Sequence, residues 1–255
     1  MKRSILFLLT VILCVISLLP TSAYAKTYTL ADTDISLSID ETSWYVFTRE
    51  NIKDNKELAE FEITYEYMNE LFLQNKVYMD AVLCFEDGNY IELFVRKNPV
   101  DSGMVNLSNY EYDDVSEIAK AFAEQLGSEK YSVYENNYKF ARLDYFDSTL
   151  NFHLCEFITV VNKESYTFTF QATSQFTDWD YKEIESIVNS IHFDVDTSLK
   201  EKKTDSFWGN VLTKTVIGAA VGGITGAIIA AVNKNKKKRS ENSDVPPTGP
   251  TETNL

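Results

Sequence analysis

Two uncharged apolar stretches bracket a polar, acidic middle, and their order limits what this chain of 255 residues can become. The first covers residues 4–19, behind Lys2 and Arg3, and ends near Ala23-Tyr24-Ala25. A basic start, an apolar core and a small-x-small site are the three parts of a secretory signal. Cleavage after Ala25 is expected; the alternative is an uncleaved anchor, which the paired alanines disfavour. Cys14 follows Leu13 and apolar residues continue to Leu19, so it reads as part of a discarded signal rather than a lipidation site.

The second stretch runs from Thr215 to Val232, 18 residues without a charge, close to the ~20 that span a bilayer. Lys214 is placed to snorkel to one interface, with Phe207 and Trp208 at headgroup level. Lys234, Lys236, Lys237, Lys238 and Arg239 follow, and a basic block of this kind holds its end in the cytoplasm. The predicted order is signal peptide 1–25, extracytoplasmic domain 26–196, juxtamembrane linker 197–213, transmembrane helix 214–233 and a basic, then disordered, tail 234–255. That is a single-pass type I protein of the cell membrane. Val245-Pro246-Pro247-Thr248-Gly249 is similar to a sortase signal, but such a signal precedes the apolar run and this one follows it.

One face of the span is small. Gly218, Gly222, Gly226 and Ala230 recur every four residues, with Ala219, Gly223, Ala227 and Ala231 beside them. Residues four apart stack on one helix face, and small ridges let helix backbones approach closely. Homo-oligomerisation or docking on a partner helix is the expectation. A glycine-tolerant anchor without a lateral partner is the alternative.

The middle is acidic: residues 26–205 carry 16 Lys+Arg against 35 Asp+Glu. That balance disfavours nucleic acid and anionic lipid as partners of this region. About 170 residues suffice for one domain with its own core. Cys84 and Cys155 both fall in expected strands. An oxidising compartment permits a disulfide between them; two buried thiols fit the sequence equally.

Periodicity divides the domain into strands and helices. Residues 27–39 alternate as two short strands around Ala31-Asp32-Thr33-Asp34, and Trp44–Phe47 is a further apolar strand. Residues 55–75 fit a strand period and a helix period equally; the expectation is a helix broken near Thr64, which can cap its second half. Ala81–Glu86 and Tyr90–Lys97 form a hairpin around Asp87-Gly88-Asn89. Asp114 or Ser116 is expected to cap a helix that buries Ile118, Ala119, Phe122 and Leu126. Tyr131–Tyr134 pairs with Lys139–Tyr145, and Phe152–Val161 with Ser165–Ala172. Asp178 or Asp180 starts a last helix with Tyr181, Ile184, Ile187 and Ile191 inward. The sum is an α+β domain, an antiparallel sheet packed by helices, plus one C-terminal transmembrane helix.

The closing phrase Ile187-Val188-Asn189-Ser190-Ile191-His192-Phe193 and the opening Ile35-Ser36-Leu37-Ser38-Ile39 before Trp44 resemble the PsbP-like (Mog/PsbP) family, in its exported bacterial form. The resemblance covers residues 27–195 and implies an α/β/α sandwich that binds or assists assembly rather than catalyses. A C-terminal span departs from the family's common pattern and points to a membrane-tethered task.

Chemistry-bearing motifs are scarce. HExxH, GxSxG, CxxC and phosphate-cradling glycine loops do not occur. His153 and Cys155 share a strand face, where a Cys–His pair can make a thiolate, or can be an ordinary half-buried pair. Glu111, Asp113, Asp114 and Glu117, and Asp178 with Asp180, supply oxygens of the kind calcium takes. Acids at helix starts also stabilise the helix dipole without a metal. Tyr110, Tyr112, Tyr131, Tyr134, Tyr138 and Tyr145 are candidates for an aromatic groove. The expected function is a non-enzymatic, membrane-tethered binding module for a protein or small-molecule partner, with no cofactor and no metal. An oligomeric, channel-like protein built on the glycine-ridged helix and an ectodomain enzyme are the alternatives.

Overall fold

The computed structural model describes residues 25–195, apart from 61–62, 101–103 and 129. The predicted signal peptide, linker, glycine-ridged span and basic tail lie outside the described residues. Among the described residues no helix is long and apolar enough to cross a membrane.

A seven-stranded sheet carries the domain, and every neighbouring pair in it is antiparallel. Its strands are β3 (Trp44–Thr48), β4 (Val77–Cys84), β5 (Tyr90–Pro99), β6 (Lys130–Glu135), β7 (Lys139–Asp147), β8 (Phe152–Val161) and β9 (Glu164–Ala172). Their order across the sheet is β3-β4-β5-β9-β8-β7-β6. The first strands, β1 (Ala25–Thr29) and β2 (Ile35–Asp40), leave this sheet and form a second one, closed by the two-residue β10 (His192–Phe193). Four α-helices and a single 3-10 turn (Leu107–Asn109) complete the described chain: α1 (Lys56–Glu60), α2 (Tyr65–Gln74), α3 (Tyr112–Leu126) and α4 (Asp178–Asn189).

Side chains alternate between faces along each strand, and both faces of the large sheet are covered. On one face Leu93, Phe157, Phe168 and Phe170 pack against Leu37 and Ile39 of the small sheet and Ile184, Ile187 and Val188 of α4. The opposite face holds two separate apolar clusters. Met68 and Phe72 of α2 lie against Phe47, Val82 and Phe94. Val115, Ile118 and Phe122 of α3 lie against Leu143, Ile158 and Val160. Helices therefore flank the sheet on both sides, and the small sheet shares one of those outer layers with α4.

Local chemistry explains most boundaries. Thr64 caps α2 as expected, its side chain accepting from the Tyr67 amide. Gly88 adopts φ +90° in the β4–β5 turn, a conformation open to glycine at no steric cost. Asn162 and Lys163 both take left-handed φ, 52° and 65°. β9 therefore starts at Glu164, opposite Val161, and the turn has the two-residue form whose twist matches its strands. One expected cap is corrected, and the expected start of the last helix at Asp178 is met. α3 starts earlier, with Glu111 at the N-cap and no side-chain cap bond, so Asp114 and Ser116 lie inside the helix. At α4 the cap is Thr177, which forms a capping box with Asp180, and Asp178 and Asp180 sit in the first turn.

Candidate functional site

The large sheet ends unevenly, and the unevenness makes a cleft. β6 begins at Lys130, opposite Asp144, so Tyr145, Phe146 and Asp147 of β7 run past it while still pairing with β8. α3 finishes beside this step at Gly127, whose φ of +68° turns the chain away; a Cβ there would meet nothing within 4 Å. The space left is about 400 Å³, near the lower end of the ~300–1,000 Å³ usual for small-molecule sites. Gly127 and Lys130 form one wall, the ends of β7 and β8 the floor, and Gln175, Phe176 and Tyr181 the other wall.

Aromatic rings dominate its apolar part. Phe146 lies against His153 with centroids 4.8 Å apart, and Phe176 against Tyr181 at 5.7 Å. Phe146 is 49% exposed, so the cleft opens directly to solvent. The acid in the lining is neutralised locally. Arg142 donates from Nε to Asp144 Oδ2 at 3.0 Å and from Nη1 to Glu185 Oε1 at 3.0 Å. Its guanidinium also lies 4.9 Å from the Tyr181 ring centroid. Lys130 makes no ion pair among the described residues.

A second polar constellation is buried. Asp80, Glu92, Arg96 and Glu156 lie in the strip of sheet between the α2 and α3 clusters, each no more than 3% exposed. Arg96 Nη2 donates to Thr169 Oγ1 at 2.9 Å, Thr169 Oγ1 to Glu156 Oε1 at 2.8 Å, and Gln171 Nε2 to Glu92 Oε2 at 2.8 Å. Arg96 stands 3.8 Å from Glu156. Burial pushes Asp80 well above the usual carboxylate range, the Glu92 interaction offsetting part of the rise. It also raises Glu156, against the pull of Arg96. Neither Asp80 oxygen has a hydrogen-bond partner among the described residues, so burial beside the Glu92 carboxylate favours the protonated acid. The sequence analysis missed this strip. Its signal is the placing of Glu92 and Arg96, four apart on one strand face, among the apolar residues of β5.

The other expected sites are placed as follows. Cys84 and Cys155 are not joined by a disulfide. They sit on β4 and β8, with β5 and β9 between them, so at least ~14 Å of sheet separates them at the ~4.8 Å strand spacing. Cys84 packs with the α2 cluster and Cys155 with the opposite face, whereas a disulfide needs Cα atoms within roughly 7 Å. His153 and Cys155 share a face, but the thiol is fully buried, and burial with Asp144 beside it raises its pKa well above the ordinary value. That environment opposes a thiolate. Asp180 uses its carboxylate on the Thr177 amide, at 2.6 Å, which is capping. Among the described residues no group of three His, Cys, Asp or Glu is arranged to hold a metal ion. The six tyrosines do not share a groove. Tyr110 is buried under α3, Tyr134 packs on the opposite face, and Tyr112 and Tyr131 are exposed; Tyr145 alone lines the cleft.

No family model matches the chain, and no curated protein matches it. Among solved structures it is similar to the solution structure of cyanobacterial PsbP (CyanoP) from Synechocystis sp. PCC 6803. The identity is 11%, over 68% of this chain and 95% of that one, with a TM-score of 0.38. A likeness at that level leaves the family of the chain open.

Proposed function

We propose that the chain is a membrane-tethered, extracytoplasmic binding module that takes its partner in the cleft at the β7–β8 end of the sheet. The observation that carries this reading is the open cleft itself: two ring pairs and a lysine around about 400 Å³. Large rings presented to solvent beside a few polar groups are the usual makeup of a binding site. The PsbP-like reading of the α+β sandwich belongs to this proposal, supported by the opening and closing sequence phrases. So do the signal peptide, the single span and the helix packing through Gly218, Gly222, Gly223, Gly226 and Ala230.

A photoreactive amino acid at position 146, in the intact protein in its native membrane, tests the cleft. A discrete adduct is expected from 146 and not from 137, in the turn at the opposite end of the sheet. No discrete adduct, or the same adducts from both positions, refutes the reading. Gly218, Gly222 and Gly226→Ile together are expected to abolish self-crosslinking; unchanged self-crosslinking rules out packing through that ridge.

A further inference from the structure

We infer that the cleft takes an aromatic carboxylic acid, with the ring between the two aromatic pairs and the carboxylate on Lys130. This inference rests on the cleft reading above and adds the ligand's chemical class.

The class follows from which groups are already used. Asp144, the acid of the lining, is bound through Oδ2 to Arg142 at 3.0 Å, and Arg142 is in turn held by Glu185. A cationic ligand would meet a carboxylate whose charge the Arg142 guanidinium already offsets. Among the described residues Lys130 has no ion-pair or hydrogen-bond partner for its ammonium, and the His153 ring lies against Phe146. Asp144 Oδ1 also lacks a hydrogen bond, but it is buried; the exposed charge of the lining is the Lys130 ammonium, and a charge-assisted bond to an acceptor anion is the strong interaction open to it. The acidic surface of the domain repels anions at long range, but salt screens that field beyond about 8–10 Å. A direct contact with Lys130 lies well inside that distance.

The ring preference comes from Phe146 with His153 and from Phe176 with Tyr181. Both pairs are tilted, at 46° and 48°, and leave edges and faces to which a further ring adds by offset or edge contact. The volume suits one ring with a short acidic arm. Such a group has two sources, a free small acid or the carboxy-terminal aromatic residue of a polypeptide.

Calorimetric titration of the full-length chain in detergent with N-acetyl-phenylalanine, its carboxamide and phenethylamine tests the class. The acid is expected to bind about tenfold more tightly than the amide, and phenethylamine more weakly than either. Lys130→Gln should remove the acid–amide difference, and Lys130→Arg should restore most of it. Phe146→Ala should weaken acid and amide alike. Both side chains are exposed, so neither change threatens the fold. Equal binding of acid and amide, preference for phenethylamine, no binding of the acid, or an unchanged ratio in Lys130→Gln would overturn the inference. A hexapeptide ending in a free phenylalanine identifies the source. Tenfold tighter binding than the small acid means a polypeptide terminus; weaker or equal binding means a free acid. If position 146 captures a discrete partner while acid and amide bind equally, the acid class fails and the cleft reading stands. If capture fails as well, both fail.

Discussion

Asp80→Asn should make the domain's stability less dependent on pH, and the sign is opposite to that of an ordinary surface aspartate. In the unfolded chain this carboxyl titrates near ~3.9. In the fold, burial holds its pKa well above that. Over the interval between the two, the native state keeps a proton that the unfolded state has released. Stability then falls as pH rises, by about 1.4 kcal/mol per pH unit for each retained proton. The slope begins above the unfolded value of ~3.9 and ends where the folded carboxyl releases its proton. Asparagine has nearly the same shape and no proton to lose, so the variant should lack that part of the slope. Glu156, also raised by burial, keeps its own share, as does the general repulsion among the domain's many acids. Urea unfolding of the full chain and the variant, followed by tryptophan fluorescence at four pH values across this window, measures the difference directly. Parallel stability–pH lines for the two proteins would show that Asp80 is not protonated in the fold. The buried-pair argument would then be wrong.

Four further outcomes are expected. Phe72→Ala removes a fully buried ring from the α2 cluster and should cost ~3–5 kcal/mol in the same unfolding assay. Thr177→Ala breaks the capping box of α4 and should cost about 1 kcal/mol. Asn162→Val places a β-branched residue at φ 52° and should cost roughly 1–3 kcal/mol, seen as a lower thermal midpoint. Iodoacetamide at pH 8 should label Cys84, which is partly exposed, well before the fully buried Cys155, and non-reducing gels should show no intramolecular crosslink under mild oxidation.

What the sequence disclosed was local. Thr64 caps α2 because its hydroxyl needs only a neighbouring amide, and Gly88 turns the β4–β5 hairpin because the turn is a few residues long. The features it withheld depend on strand order. Nothing between Cys84 and Cys155 in the sequence states that β5 and β9 lie between them in the sheet. The burial of Asp80, Glu92 and Glu156 likewise depends on helices covering a face that alternation alone marks as polar. The cleft arises because β7 outlasts β6 by three residues, a mismatch smaller than the error of reading strand ends from periodicity. Resemblance pointed to a helix-flanked sheet but not to the departure of β1 and β2 into a sheet of their own.

That small sheet has a mechanical meaning. β10 is joined to β2 only at His192–Ser36 and Phe193–Ile35, and the Asp194 amide reaches Asp34 O at 2.8 Å. Phe193 is wedged between the rings of Tyr138 and Tyr166, at 4.8 and 5.0 Å, and its amide donates to the Tyr138 hydroxyl. A pull applied at residue 195 reaches this short latch before it reaches the long ladders of the seven-stranded sheet. The latch would yield first, peeling β10 and then α4 while the large sheet stayed whole. Under tension the domain would extend in two stages, with the first acting as a fuse that spares the cleft's floor.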